Sequence, residues 1–146
     1  MNHIEMIPGR LYAGGSISSD DWDFVKRKKI SAIVNLCITP DQPEFDFSRR
    51  VMIWSPIFLW VKPSVEWLDN LIKQIDKLMD RGHRVLIHCR FGIHRTGLIL
   101  TAFYMYRYRL DRELALRKVR RKKPDVAPPP IYMEVLSRYE KFLGIK

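Results

Sequence analysis

The segment His88-Cys89-Arg90-Phe91-Gly92-Ile93-His94-Arg95-Thr96-Gly97 sits between two apolar runs, Val85-Leu86-Ile87 and Leu98-Ile99-Leu100. It carries one of only two cysteines in the chain. A strand that enters a tight loop and then a helix leaves unpaired backbone N–H groups pointing inward. The positive end of the helix dipole lies behind them, and the result is an anion cradle. Gly92 permits the turn, and Gly97 permits close packing behind it. Cys89 stands at the loop entry and Arg95 at its exit, so curling the loop brings both to one cavity. A helix N-terminus and nearby cations lower a thiol from about 8.5 to roughly 3.5–7.5. A thiolate facing such a cradle implies in-line attack on phosphorus and a phosphocysteine intermediate. Cys89 is then the nucleophile. Arg95, with its planar two-point fork, and the loop Arg90, Phe91, Gly92, Ile93, His94 bind the phosphoryl oxygens. Thr96 donates its hydroxyl to the thiolate, and His88 holds the loop and tunes Cys89. The competing reading is a buried core cysteine before a helix-start arginine. It explains none of the glycine and threonine placement.

The elements that position this segment follow from periodicity and punctuation. Arg10-Leu11-Tyr12-Ala13 reads as a strand closed by Gly14-Gly15. Ser18-Ser19-Asp20 starts a helix that ends near Lys28-Lys29, with acids suited to its first turn. Ser31 to Leu36, Val51 to Trp54 and Arg84 to His88 read as strands. The prolines and acids from Thr39 to Glu44 mark a loop. After Pro63-Ser64, the residues Leu68, Leu71, Ile72, Ile75, Leu78 and Met79 share one helical face, and Gly82 ends it. Further helices are expected from Gly97 to about Arg109, from Asp111 to Lys123, and after the Pro128-Pro129-Pro130 turn. Alternating strands and helices imply an α/β fold. Its central, mostly parallel sheet has four to five strands, covered by helices on both faces.

A chain of 146 residues with 47% hydrophobic content fits a single domain, 1–146, with a real core. Two cysteines exclude a disulfide framework, and their spacing does not suit zinc. No metal and no cofactor are expected. No run of about 18 apolar residues and no signal-peptide pattern is present, so a soluble, cytoplasmic protein is expected, and a monomer. The net charge of +10 suggests anionic partners; a basic, inert surface is the alternative. The same choice holds for the run Arg117-Lys118-Val119-Arg120-Arg121-Lys122-Lys123.

His-Cys, five residues, Arg, then Thr resembles the signature of the cysteine-dependent protein tyrosine phosphatases. The resemblance extends over nearly the whole chain. Ile7-Pro8-Gly9-Arg10-Leu11-Tyr12-Ala13-Gly14 is similar to the opening of small, atypical dual-specificity phosphatases, and Ala115 to Pro124 to their C-terminal part. It implies the dual-specificity phosphatase fold. It also implies hydrolysis of phosphotyrosine or phosphoserine/threonine protein. The family's general acid, an aspartate, would fall between Ser55 and Ser64, where this chain has no acid. General acid catalysis contributes typically about 10²–10⁴-fold. Candidates for a replacement are Asp41, Glu44, Asp46, Asp69, Asp125 and His94. Alternatively the leaving group needs little help, as in RNA 5′-triphosphatases of the superfamily, or the protein is a weak phosphate-binding pseudophosphatase.

Two residues carry further expectations from the resemblance. A basic residue at Arg90 also occurs in branches acting on phosphoinositides or inositol phosphates; a solvent-facing arginine is the alternative. Partners are thus a phosphorylated protein or another anionic phosphate ester, with RNA and phosphoinositide included. Asn35-Leu36-Cys37 resembles a stretch of the phosphoinositide branch whose cysteine pairs with the nucleophile. If the strands before Cys37 and Cys89 are parallel neighbours, both thiols lie at one sheet edge. A reversible Cys37–Cys89 disulfide is then expected on oxidation; an inert strand-end cysteine is the alternative.

Overall fold

The computed structural model describes residues 3–145. Five strands form one sheet: β1 (His3–Ile7), β2 (Leu11–Gly14), β3 (Ala32–Asn35), β4 (Val51–Trp54) and β5 (Val85–His88). Their order is β1-β2-β5-β3-β4. β1 pairs antiparallel with β2, and every other pair is parallel. The helices are α1 (Ser19–Arg27), α2 (Val65–Asp80), α3 (Arg95–Tyr108), α4 (Arg112–Lys122) and α5 (Pro130–Leu143). β1 is not among the strands expected from the sequence. It is a five-residue edge strand with only His3 and Met6 buried, too little alternation to stand out.

Period-two alternation divides the sheet between two cores. Leu11, Ala13, Ala32, Val34, Val85 and Ile87 face the helices α2 to α5. Tyr12, Ile33 and Leu86 face the other way, against Trp22, Phe24 and Val25 of α1. Both faces are therefore covered, as parallel sheets require. α2 starts where the Ser64 Oγ accepts from the Trp67 amide at 3.1 Å. It buries Leu68, Leu71, Ile72, Ile75 and Met79 as the pattern predicts, while Leu78 of the same predicted face is half-buried. Each buried side chain contributes about 1.5–3 kcal/mol. α4 begins at Asp111, whose Oδ1 accepts from the Leu114 amide at 2.9 Å.

β5 lies between β2 and β3, with His88 in register with both Gly14 and Asn35. The segment 89–94 therefore leaves the sheet from its middle, at the C-terminal edge of the parallel strands. Among the described residues no helix is long and apolar enough to cross a membrane.

Candidate active site

The loop after β5 is clamped by the end of β2. The Cys89 amide donates to the Gly14 carbonyl at 3.4 Å, and the Ser16 amide to the Arg90 carbonyl at 2.9 Å. Gly92 has φ +73, and a Cβ there would stand 2.6 Å from the Gly14 carbonyl carbon. Both the turn and the close approach need glycine. Gly97 packs tightly too, since a Cβ would meet Val126 Cγ1 at 2.8 Å.

Cys89 is 2% exposed. The Thr96 hydroxyl donates to its sulfur at 3.0 Å and the Thr96 amide at 3.4 Å. Burial pushes the Cys89 thiol up. Those two donors, the Gly92 amide and the Arg95 charge outweigh it, so the thiol lies below its ordinary value. Arg95 is the first residue of α3. Its Nη1 donates to the carbonyls of Ile57 at 3.1 Å and Leu36 at 3.4 Å, which fixes the guanidinium. Among the described residues no protein group accepts from Nε or Nη2, the edge suited to two oxygens. A cavity of about 280 Å³ is lined by Leu59, Cys89, Arg90, Phe91, His94 and Arg95. The structure thus brings the expected pair into one cavity.

His88 points away from that cavity. Its Nε2 lies 2.6 Å from Asp41 Oδ2, and the ring is 1% exposed. Burial opposes charge on the ring, but the Asp41 carboxylate and the Cys37 thiol outweigh burial, and its pKa rises from 6.5 to about 9. His88, Asp41 and Cys37 line a second, polar cavity of about 510 Å³. The loop that delivers Asp41 is tied by Asn35, whose side chain donates to the Thr39 carbonyl at 3.0 Å and accepts from the Cys37 amide at 2.7 Å. β3 and β5 are parallel neighbours, which meets the condition for both thiols to lie at one sheet edge, and both cysteines are free. They line different cavities, Cys37 the one beside His88 and Cys89 the one it shares with Arg95.

The other acid candidates lie elsewhere. Asp69 is buried on the inner face of α2, accepting from the Tyr139 hydroxyl at 2.9 Å and paired with Lys73 at 2.8 Å. Asp125 pairs with Lys123 at 2.8 Å. Asp46 caps its own turn at the Ser48 amide, 3.0 Å away, and Glu44 lines the second cavity. His94 alone of the candidates lines the Cys89 cavity, with Nδ1 2.7 Å from the Ala127 carbonyl. Two features had no sequence signal. The carbonyls of Leu36 and Ile57 that hold Arg95 are main-chain groups. Asp41 reaches His88 across 47 residues of chain.

A central strand, a clamped loop and a helix start that aim a low-pKa cysteine and an arginine into one cavity define a cysteine-based phosphatase domain. The family model "Dual specificity phosphatase, catalytic domain" matches residues 11–142, and the chain belongs to that family. It is 28% identical to Dual specificity protein phosphatase Mpk3 of Drosophila melanogaster, over 98% of this chain and 35% of that one. Human Dual specificity protein phosphatase 8 is 27% identical, over 92% of this chain and 22% of its own. The chain thus spans between about a fifth and just over a third of these relatives' length. Among solved structures, Tk-PTP in its active form is 31% identical, covers 96% of this chain and 97% of its own, and has a TM-score of 0.79. Human DUSP28 shares the fold at a TM-score of 0.85 and 18% identity, over 99% and 96% of the two chains.

Proposed function

We propose that this chain hydrolyses phosphomonoesters in two steps through a phosphocysteine on Cys89. The observation that carries this reading is the sulfur of Cys89, held by the Thr96 hydroxyl in the cavity it shares with Arg95, an arrangement that lowers the thiol from its ordinary value. The thiolate attacks phosphorus in line, and the S–P bond forms as the ester P–O bond breaks. The free edge of Arg95 and the loop amides bind the oxygens of the transferring group. Water then attacks phosphorus, and the Thr96 hydroxyl stabilises the departing thiolate. His94 protonates the leaving oxygen. Its Nδ1–H donates to the Ala127 carbonyl, which leaves Nε2 to carry the transferable proton. Residues 1–146 act as one phosphatase domain in this reading.

The relatives' names favour phosphotyrosine and phosphoserine/threonine protein as substrate. A second reading, a non-protein polyanion, has one observation in its favour. The cavity lining includes Arg90, His94 and Arg95 and no carboxylate. Such a site suits a highly charged ester or a phosphoanhydride, including a phosphoinositide, an inositol phosphate or an RNA 5′-triphosphate.

Turnover of aryl phosphates by wild type and variants tests the chemistry. Cys89→Ser is expected to abolish it; turnover that survives this change overturns the assignment, and none in wild type leaves a phosphate-binding module. His94→Gln is expected to cost about 10²–10⁴-fold with poor leaving groups and little with good ones.

A further inference from the structure

We infer that the C-terminal edge of the sheet docks on a membrane, and that the ester delivered to Cys89 is the phosphomonoester headgroup of a bilayer lipid. The inference rests on the phosphocysteine reading and narrows its substrate.

Large apolar side chains are exposed mainly at this edge. Among the described residues, Ile38, Trp54, Phe58, Trp60, Val61 and Phe91 are exposed here, whereas Tyr108, Leu114 and Phe142 lie singly on three different helices. The six come from the ends of β3 and β4, the segment before α2, and the loop after β5. Trp60 is 79% exposed and Phe91 63%. Phe91 and Leu59 also line the Cys89 cavity, so the apolar rim and the pocket are continuous. Beside it, Phe58, Val61 and Trp67 help form a groove of about 270 Å³. An apolar rim around a phosphate pocket marks a contact surface.

Shape and charge favour a bilayer as the occupant. The side chains protrude from several segments of the edge, with Phe58, Trp60 and Val61 on one of them. A protein would need a matching pocket for each, whereas a lipid interface accepts protruding rings and keeps the indole N–H at headgroup level. Arg90 is exposed, with its guanidinium carbon 5.2 Å from the Phe91 ring centroid. Asp41, Asp125 and Glu134 are each engaged, by His88, Lys123 and Lys62. The chain carries a net charge of +10. Aromatic tips interleaved with cations on a basic body suit an anionic leaflet. A phosphomonoester at headgroup level then lies at the mouth of the cavity. The thiolate displaces the lipid hydroxyl, which leaves with a proton, and water cleaves the S–P bond to release inorganic phosphate.

The test uses phosphatidylcholine vesicles with and without a phosphatidylinositol monophosphate. Wild type and Trp60→Ala/Val61→Ala are compared for sedimentation with vesicles. Turnover is compared for the vesicle lipid, its short-chain soluble analogue, an aryl phosphate and a phosphotyrosine peptide. The variant is expected to lose at least about tenfold in vesicle binding and vesicle turnover. The soluble substrates should stay within about twofold, since neither side chain is needed once the phosphate is in the cavity. Quenching of wild-type tryptophan fluorescence by brominated acyl chains gives a readout that does not depend on the variant's folding. Quenching is expected with the anionic vesicles and should fall in Trp60→Phe. Absence of vesicle binding and quenching in wild type overturns the inference. Equal vesicle turnover by both proteins does so as well. Selective loss of peptide turnover assigns the rim to a protein partner instead. If aryl phosphate turnover is absent or survives Cys89→Ser, the phosphocysteine reading fails, and sedimentation and quenching still decide the docking.

Discussion

Cys89 keeps a low proton affinity although it is buried, and the reason is local. Thr96 supplies a hydroxyl and an amide to the same sulfur. Thr96→Ala removes the hydroxyl and leaves the amide, so the thiol pKa is expected to rise. The pH dependence of iodoacetamide alkylation at Cys89 measures this; an unchanged midpoint removes Thr96 from the account. Thr96→Ser should restore the wild-type midpoint. His88 follows the opposite sign. Its folded pKa, about 9, lies above its unfolded value near 6.5. The Asp41 contact therefore contributes fully below about 6.5, and its contribution is lost as pH rises through about 9. Asp41→Asn is expected to cost about 1–3 kcal/mol in urea unfolding near pH 6, and much less near pH 10. An equal cost at both pH values would show that the bond's worth does not depend on charge.

At the scale of elements, the loop depends on what β2 and the α4–α5 connection leave open for it. Gly92→Ala brings a Cβ against main-chain atoms of Gly14 and demands a left-handed backbone. It is expected to cost about 2–4 kcal/mol and most of the activity. Gly97→Ala meets only side chains, Val126 and Pro128, which can shift. About 1–2 kcal/mol is expected there. Thermal unfolding of the two variants checks the order, and a larger loss at Gly97 would reverse it. Much of this was legible in the sequence. The glycines, Cys89, Arg95 and Thr96 stand at spacings that one strand–loop–helix unit explains. The long face of α2 announces itself by period. What was not legible lies across distant segments. β1 is short and half exposed, so its pattern carries little weight. Asp41 reads as one acid among several until the fold sets it against His88. The main-chain carbonyls that hold Arg95 have no residue type at all.

For the molecule as a whole, the net charge of +10 acts at long range and is screened by salt. With a polyanionic substrate, kcat/KM is expected to fall by about tenfold between low and high ionic strength. With a small aryl phosphate the fall should be much smaller, and steady-state rates across a salt series check both. Equal slopes would mean that the cations outside the pocket are inert. The strand order has a consequence of another kind, for synthesis. β5, at residues 85–88, is the strand that joins β2 to β3. Until it emerges from the ribosome, the chain can form a β1–β2 hairpin and a β3–β4 pair, but no common sheet. The central strand is the last to arrive, and its contacts span more than fifty residues on either pairing. Such non-local closure is slow and leaves strand edges open meanwhile. The nucleophile is thus made only after the sheet that will carry it can finally close, and a nascent chain stalled before Val85 has neither.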